Sequence, residues 1–411
     1  MRCILGVLFA CLQLMPDGES KAQVNPVKLP WFGTVILFVA VMVAALVRPL
    51  MPHGIVEYVL RLAGRPLSID IGHGKFIRLV EEEHPQMDCQ TTDLAWSPDG
   101  NILVTACSES LRAQSLDGNE IGKGPSPWPS SRHMQVLTNP FRLVYFGQSK
   151  DPSVRDPNLT VWDVQAGRSS TLPIEWSPID DFGVDPDHDR VAVAHLSRQD
   201  VRLDVLALES GKATQTLQLS TAVCSMRWLP GAQALLLGGC DGVLRLADMT
   251  TGEIRELARP YTTVFPTGGS ASGWVDGLVL SPDSKSVAIF KTGGGITPAP
   301  AAGTINMKTG QKWEESLGTT VEIRSIDDGR LLDRMPGPET GVVGLVWDPR
   351  DRFIAVAGRD ALIIWQRKNG ELASRTYEDP GIPHTLSLTN DGTRLALTTG
   401  RGVRIFQIQE H

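Results

Sequence analysis

The sequence lacks the short motifs that mark hydrolases and phosphate-binding enzymes. It contains no Gly-x-Ser-x-Gly elbow, no His-Glu-x-x-His pair and no Gly-x-x-x-x-Gly-Lys loop. The glycine-rich segment TGGGIT (292–297) lacks the lysine and the helix that a phosphate loop needs. We therefore predict that the protein is not an enzyme and that it has neither catalytic residues nor a cofactor.

Recognisable metal-ligand spacing is missing as well. Cys89, Cys107, Cys224 and Cys240 are scattered over two separated regions, with no Cys-x-x-Cys pair and no disulfide framework. The segment DPDHD (185–189) holds three carboxylates and a histidine, but it lacks the spacing and the distant glutamate of a calcium loop. We predict no metal site, and we interpret DPDHD as a turn.

Basic residues are too few in the main body for binding to a nucleic acid. Residues 1–66 carry six basic and three acidic residues, which leaves 33 basic and 43 acidic residues in 67–411. The body therefore has a net charge of −10 and no basic stripe, which argues against phosphate contacts. Few stretches have a helical pattern, whereas 40 glycines and 28 prolines predict many turns between short strands.

One segment near the N-terminus has no charge. WFGTVILFVAVMVAALV (31–47) would span about 25 Å as a helix, and Leu50 and Met51 extend it enough to cross a bilayer. We predict one transmembrane helix at 31–51, with a buried core helix as the alternative. The apolar run at 3–15 is too short to span, and either a signal-peptide core or an extension from a misplaced start codon explains it.

The charges that flank this span predict its orientation by a narrow margin. Lys21 and Lys28 precede the span, whereas Arg48, Arg61 and Arg65 follow it. This balance predicts a single-pass membrane protein with a cytoplasmic C-terminal body. The scattered cysteines favour the same compartment.

A corner segment recurs through the rest of the chain. Its copies are WSPDG (96–100), TNPFR (138–142), VDPDHDR (184–190), WLPGA (228–232), LSPDS (280–284), WDPRD (347–351) and LTNDG (388–392). Their prolines, with Asn390 in the seventh copy, are 41 to 67 residues apart. Seven copies at such a spacing indicate a repeat architecture.

Each corner joins two strand-like runs. An alternating run such as TDLAW precedes the corner, and a continuous apolar run such as ILVTA follows it. We expect this pair to lie outward, buried between neighbouring sheets. A third run, such as LTVWDVQAG (159–167), ends at a glycine turn. Four strands in a repeat of this length predict an all-β, seven-bladed β-propeller of four-stranded antiparallel blades, preceded by the transmembrane helix.

These residues resemble the WD-repeat family over roughly 68–410. Only Trp162-Asp163 preserves the dipeptide that names the family, and Leu206, Ala247 and Phe406 occupy the tryptophan position in other copies. The resemblance implies an aspartate that ties a tight turn six residues before that position. The predicted turn and blade-packing residues are Asp99, Gly100, Asp156, Trp162, Asp163, Asp200 and Asp241.

The resemblance also bears on the two remaining histidines of interest. In EEEH (81–84), it implies that His84 corresponds to the family's histidine after the outer strand. The other structural interpretation of this segment is a solvated acidic loop. We favour both interpretations over metal binding. We interpret His195, which lies in an apolar run, as a satisfied buried histidine rather than a base. No carboxylate partner can be assigned to it from the sequence.

The ends of the body predict how the ring closes. VRIFQIQ (403–409) supplies a third strand for the last blade and leaves no room for a fourth, whereas GKFIRLVEEE (74–83) has the pattern of an outer strand. Pairing of these two segments would close the ring and remove its exposed edges. Eight blades is the alternative count, because the fifth blade carries a loop insertion. The predicted divisions are an N-terminal extension (1–30), the transmembrane helix (31–51), a juxtamembrane helix or linker (52–66), and the propeller (67–411) with its insertion (292–319).

The resemblance implies a non-enzymatic scaffold or interaction module that binds an unknown protein or peptide partner. From the uncharged segment and the acidic body, we predict that residues 31–51 anchor this module in the membrane and that no nucleic acid is bound. The alternative is a propeller enzyme or small-ligand sensor, such as a lactonase-like hydrolase, that uses the central channel. A cluster of three or more inward-facing His, Asp or Glu side chains would favour this alternative, and a channel lined by small apolar residues would favour the scaffold.

Overall fold

The computed structural model describes most of the body. The described residues are 67–72, 75–82, 91–127, 134–147, 158–172, 174, 179–185, 187–196, 201–231, 233–259, 263–264, 270–271, 274–292, 320–338, 341–358, 361–368, 371–378, 383–399 and 402–410. They all belong to one compact unit, Pro66–His411. The predicted transmembrane helix (31–51) and linker (52–66) lie outside the described residues. Within the described part, no helix combines the length and apolar character that crossing a membrane requires.

The first half of the unit contains two leading strands and three blades. The leading strands are β1 (Leu67–Gly72) and β2 (Lys75–Glu82). Blade 1 consists of β3 (Thr91–Trp96), β4 (Ile102–Cys107), β5 (Leu111–Ser115) and β6 (Glu120–Gly124). Blade 2 consists of β7 (Gln135–Leu137), β8 (Arg142–Gly147), β9 (Asn158–Asp163) and β10 (Arg168–Thr171). Blade 3 consists of β11 (Ile179–Val184), β12 (Arg190–Leu196), β13 (Val201–Ala207) and β14 (Ala213–Gln218).

The second half contains four blades and one small hairpin. Blade 4 consists of β15 (Val223–Trp228), β16 (Ala234–Gly239), β17 (Leu244–Asp248) and β18 (Ile254–Ala258), and the hairpin of β19 (Thr263–Val264) and β20 (Ser270–Ala271). Blade 5 consists of β21 (Trp274–Leu280), β22 (Ser286–Thr292), β23 (Thr320–Ser325) and β24 (Leu331–Pro336). Blade 6 consists of β25 (Val342–Trp347), β26 (Ile354–Gly358), β27 (Ala361–Lys368) and β28 (Glu371–Glu378). Blade 7 contains β29 (Pro383–Leu388), β30 (Arg394–Thr399) and β31 (Gly402–Glu410).

Every blade is an antiparallel sheet whose strands follow one another in sequence order, apart from blade 7. In blade 7 the spatial order is β29, β30, β31, β2 and β1, so the start of the unit completes the last blade. The predicted seven-bladed propeller of four-stranded antiparallel blades is confirmed. The hairpin β19–β20 forms a separate two-stranded sheet and not an eighth blade. Nearly all of the predicted insertion (292–319) lies outside the described residues.

The first strand of each blade lies innermost. The first strands of neighbouring blades contact one another all the way round the ring. Our expectation that the alternating strand lies outward is therefore wrong. The first strand is paired along one edge only, whereas the second strand is paired on both edges and covered by both neighbouring blades. Coverage on both faces explains why the second strand is continuously apolar.

The apolar side chains form seven clusters, and each cluster fills the space between two consecutive blades. Leu203 and Leu237, for example, belong to the cluster between blades 3 and 4. Leu94, Trp96 and Ile405 belong to the cluster between blades 1 and 7, which is the smallest among the described residues. Each blade buries its apolar faces only against its neighbours, so the ring must close to cover all of them.

Strand β2 closes the ring, as the sequence predicts. It pairs with β31 from Ile77 opposite Glu410 to Glu82 opposite Ile405. Leu79 is 2% exposed and packs into the cluster between blades 6 and 7. Strand β1 adds a fifth, unpredicted strand at the outer edge.

The side chains of the closing strand also bind the last blade. Glu81 accepts two hydrogen bonds of 2.6 Å from the guanidinium of Arg404, and Glu82 lies 3.4 Å from Nε of Arg394. Two carboxylates of the EEEH segment therefore form ion pairs between the two ends of the body. His84 lies outside the described residues.

Two cysteines that the sequence left unpaired form a disulfide. The Cα atoms of Cys224 and Cys240 lie 5.2 Å apart, and the two sulfur atoms are bonded. The absence of a disulfide framework, expected from the scattered spacing, is thus wrong. The β15–β16 hairpin explains the pairing, because its register places Val223 opposite Gly239 and so brings the two cysteines together. Cys107, at the end of β4, is also disulfide-bonded.

Truncation of the closing strand's buried side chain tests this architecture. We expect Leu79→Ala to lower the free energy of unfolding by about 3 kcal/mol, because it opens a cavity at the seam. Ile121→Ala is the matched control, since Ile121 is 47% exposed on an outer strand and should change stability by less than about 0.5 kcal/mol. Denaturant unfolding measures both, and equal stabilities for the two variants would contradict closure by β2.

Candidate interaction surface

The propeller has two faces with different turns. We call corner face the one that carries the turns between first and second strands and between third and fourth strands. The opposite face carries the turns between second and third strands and the connections between blades. The polar segments that the sequence analysis singled out are distributed over both faces.

The corners on the corner face share a side-chain cap. Ser97, Ser281 and Thr389 begin their corners, and each hydroxyl accepts a hydrogen bond of 2.9–3.0 Å from the backbone N–H five residues later. Asp185 and Asp348 occupy the same position and accept from the N–H two residues later. A side-chain oxygen is needed here because these N–H groups have no partner in the sheet.

Asp99 and Gly100 lie in the first of these corners. Asp99 accepts hydrogen bonds from the hydroxyl of Ser97 at 2.5 Å and from the side-chain amide of Asn101 at 3.0 Å. The Ser97 hydrogen bond lowers the pKa of the Asp99 carboxyl below its ordinary value. Gly100 has φ 70°, a conformation that glycine adopts without strain. The geometry gives both residues a role in the turn.

The first carboxylate of DPDHD is occupied by its own corner. Asp185 is fully buried and accepts hydrogen bonds from the backbone N–H groups of Asp187 and His188. Nε of Arg190 donates to the same carboxylate at 2.7 Å. These donors leave Asp185 without the free oxygen atoms that a metal ion needs.

The other two carboxylates of DPDHD connect neighbouring blades. Asp187 accepts a hydrogen bond of 2.9 Å from the backbone N–H of Gly231, in the corner of blade 4. Asp189 forms an ion pair with Arg142, which belongs to blade 2. The segment therefore fastens three consecutive blades along the corner face.

A second bridge of this kind joins blades 6 and 7. The guanidinium of Arg352 binds both oxygen atoms of Asp348 at 2.7 Å. It also donates to the carbonyl of Gly392 at 2.6 Å and to the carboxylate of Glu410 at 2.5 Å. Acidic residues on this face thus take part in assembly of the ring.

Trp162 packs between blades and Asp163 caps a turn. Trp162 is fully buried, and a Cβ atom at Gly124 of blade 1 would lie 2.7 Å from its indole ring. A carboxylate oxygen of Asp163 accepts a hydrogen bond of 2.8 Å from the N–H of Ala166. Leu206, Ala247 and Phe406, which hold the tryptophan position in other blades, are buried as well.

Asp241 lies on the opposite face, in the turn between β16 and β17. It accepts a hydrogen bond from the N–H of Val243 at 3.2 Å and two from the guanidinium of Arg245 at 2.9 and 2.5 Å. Although partial burial raises it, the pKa of Asp241 is lowered overall by these hydrogen bonds. A Cβ atom at Gly239 would lie 2.2 Å from the carboxylate, so a larger residue there would displace the Asp241 side chain. Asp156 and Asp200, predicted for equivalent turns, lie outside the described residues.

His195 has the carboxylate partner that the sequence could not assign. Its Nε2 lies 3.4 Å from a carboxylate oxygen of Asp204. Arg202 and the hydroxyl of Thr216 also bind this carboxylate, at 2.8 and 2.6 Å. Both His195 and Asp204 are at most 5% exposed, and the cluster lies between strands inside blade 3. Such burial suits a structural histidine better than a catalytic base.

Side chains of neighbouring blades satisfy the free edges of the innermost strands. Nε1 of Trp228 donates to the carbonyl of Gly183 at 2.8 Å. The side-chain amide of Gln135 both donates to the carbonyl of Phe182 and accepts from the N–H of Val184, each at 2.8 Å. These contacts use polar groups of the inner ring for cohesion between blades.

Charged groups near the inner ring do not form a metal-binding cluster. Arg227 of β15 donates from Nε to the carbonyl of Leu278 at 3.4 Å. Across the residues that the structure describes, no group of three or more His, Cys, Asp or Glu side chains could hold a metal ion.

A cavity of about 370 Å³ opens on the opposite face between blades 3 and 4. Its walls come from the end of β14, from the connection that follows it and from all four strands of blade 4. The apolar lining consists of Leu219, Val223, Leu237 and Ile254, and the polar lining includes Gln218, Ser220, Thr221, Arg245 and Glu256. Sequence reasoning missed these residues because they come from six separate elements and share no motif.

Acidification should destabilise the ring. Asp99 and Asp241 have a lowered pKa in the folded chain, so below about pH 4 the unfolded chain takes up protons first. The free energy of unfolding should be constant above about pH 5 and should fall as the pH drops through the lowered values. Asp241→Asn should cost about 1 kcal/mol at pH 7, because the pair with Arg245 is partly exposed, and should flatten the acid slope. Denaturant unfolding between pH 2 and pH 7 measures both effects, and an unchanged slope would contradict them.

Comparison with known proteins agrees with this architecture. The family model of the WD domain, G-beta repeat, matches residues 80–112. The matched segment begins in β2 and ends in β5, so it covers part of the closing strand of blade 7 and the inner strands of blade 1. No curated protein matches the chain. Together with the seven-bladed ring, the match supports a WD-repeat propeller, a fold that fits a protein-interaction module.

Proposed function

We propose that the protein is a membrane-anchored interaction module whose propeller binds a protein or peptide partner. The cavity between blades 3 and 4 carries this proposal. It combines an apolar floor with hydrogen-bonding groups at the rim, and its volume of about 370 Å³ falls in the range typical of binding pockets. A partner would insert an apolar side chain there and pair its backbone with the rim.

The surroundings of the cavity favour recognition over chemistry. Arg245, the one basic residue among the described lining residues, is held by two hydrogen bonds from its guanidinium to Asp241. Glu256 is likewise paired with Arg259 at 2.6 Å. Such fixed charges orient a ligand, whereas a nucleophile or general base needs a free group. WD-repeat propellers are typically non-enzymatic, and no described cluster favours the enzyme alternative.

The overall charge adds a preference for the partner. The body carries a net charge of −10, which attracts a partner with a basic surface and repels nucleic acid. The segment 31–51 would keep this surface at the membrane. The uninterrupted run of 17 uncharged residues at 31–47 supports that role.

Site-specific photocrosslinking tests which face binds. We expect a photoreactive residue at Ser220, on the rim of the cavity, to capture the partner in cells. The same residue at Thr250, an exposed turn residue of blade 4 on the corner face, is the matched control and should capture nothing. Thr221→Trp, which fills the cavity, should abolish the Ser220 product. Capture from Thr250 alone, or capture from Ser220 that survives Thr221→Trp, would contradict the assignment.

Membrane extraction tests the anchor. The full chain should stay in the membrane pellet after an alkaline carbonate wash, and deletion of 31–51 should release it, because one apolar helix supplies the insertion free energy. Deletion of 3–15, an apolar run too short to span, is the control and should leave the protein in the pellet. Release of the full chain by carbonate would show that 31–51 does not anchor it.

A further inference from the structure

We infer that the propeller matures in an oxidising compartment, outside the reducing cytoplasm. The main observation is the disulfide between Cys224 and Cys240. A further disulfide-bonded cysteine, Cys107, lies in another blade. Disulfides persist in oxidising compartments, whereas cytoplasmic thiols are kept reduced. Two bonded sites in separate blades make a chance pairing of one reactive thiol an insufficient explanation.

The fold itself brings Cys224 and Cys240 together. A one-residue bulge in the register of β15 and β16 places Cys224 opposite the end of β16, beside Cys240. Blade 1 has the same bulge between its first two strands, and there Thr92 and Ser108 hold the equivalent positions. The proximity therefore follows from blade geometry, and blade 4 differs from blade 1 in placing a cysteine at both positions.

The bond fastens a part of the proposed binding face. Cys224 belongs to the innermost strand β15, and Cys240 begins the turn that holds Asp241. Their neighbours Val223 and Gly239 line the cavity between blades 3 and 4. A bridge here fixes two walls of the cavity with respect to each other.

The alternative role for two adjacent cysteines is metal binding. That role needs two further ligands, and the described residues contain no group of three or more potential ligands. Formation of the bridge instead converts two thiols into one disulfide and releases two protons and two electrons. The electrons pass to the disulfide of a thiol–disulfide oxidoreductase, which leaves as a dithiol.

The inference also sets the orientation of the proposed anchor, and this step rests on the proposed function. If 31–51 spans the membrane, an oxidised body places Lys21 and Lys28 on the cytoplasmic side. The reverse orientation is predicted by an excess of only one basic residue on the C-terminal flank. The scattered cysteines no longer support a cytoplasmic body, because the structure shows some of them bonded. The disulfide evidence therefore outweighs the charge difference.

Thiol trapping in cells tests the bond. Cells that produce the full chain are quenched with acid, and the denatured chain is labelled with a maleimide polymer before and after reduction, beside the variant Cys224→Ser/Cys240→Ser. Before reduction, we expect the two chains to carry the same number of labels. After reduction, the unsubstituted chain should carry two more labels than the variant. Two additional labels before reduction would overturn the inference. The labels that the unsubstituted chain gains on reduction are counted on that chain alone, so this part of the result does not depend on folding of the variant.

A reporter tests the compartment. Alkaline phosphatase, which requires its own disulfides, is fused after His411 of the full chain, and we expect it to be active. An inactive fusion would overturn the inference. An active fusion on a chain that carbonate releases would refute the anchor and leave the oxidising compartment standing, so the two proposals fail separately.

Discussion

The antiparallel pairing of β2 with β31 is the contact on which the rest of the propeller depends. Each blade has apolar side chains on both faces, and these faces are buried only between neighbours. An open row of seven blades would expose two of them. Because β2 comes from the start of the unit and β31 from its end, blade 7 can form only when both ends meet. The hydrophobic stabilisation of all seven interfaces is therefore coupled to one strand pair.

Around this ring, polar residues have structural roles, although their clustering in the sequence resembles that of a functional site. Asp185, Asp187 and Asp189 form the densest acidic segment of the described corners, and each is bound by a backbone N–H or by an arginine. Turns supply unpaired N–H groups, and adjoining corners supply arginines, so carboxylates accumulate on the corner face. The cavity lies on the other face. The division separates the surface that assembles the ring from the one proposed to bind a partner.

The sequence could predict those features that repeat along the chain. The seven corners and the alternation around them led to the blade count, the strand directions and the closing strand, because these depend on local patterns. The disulfide could not be predicted from these patterns. Extending the hairpin register from the corner WLPGA (228–232) sets Cys224 opposite Gly239, and only the bulge after Val223 brings Cys224 beside Cys240. The innermost position of the alternating strand was missed, because periodicity does not reveal which edge of a sheet faces the axis.

Features made by contacts between strands or between blades could not be predicted. The partner of His195 depends on the register of β12 with β13, which sets Val193 opposite Asp204. The cavity depends on how the connection after β14 passes over blade 4. Neither the partner of His195 nor the cavity can be inferred from residue spacing within one repeat.

Hydrogen exchange of the closing strand measures the central claim most directly. If β2 completes the ring, backbone amides within Lys75–Glu82 should exchange as slowly as those of the buried strand Ala234–Gly239, since both would open only with the whole propeller. Fast exchange in Lys75–Glu82, with protection retained in Ala234–Gly239, would show that the ring holds together without this strand and would contradict the account.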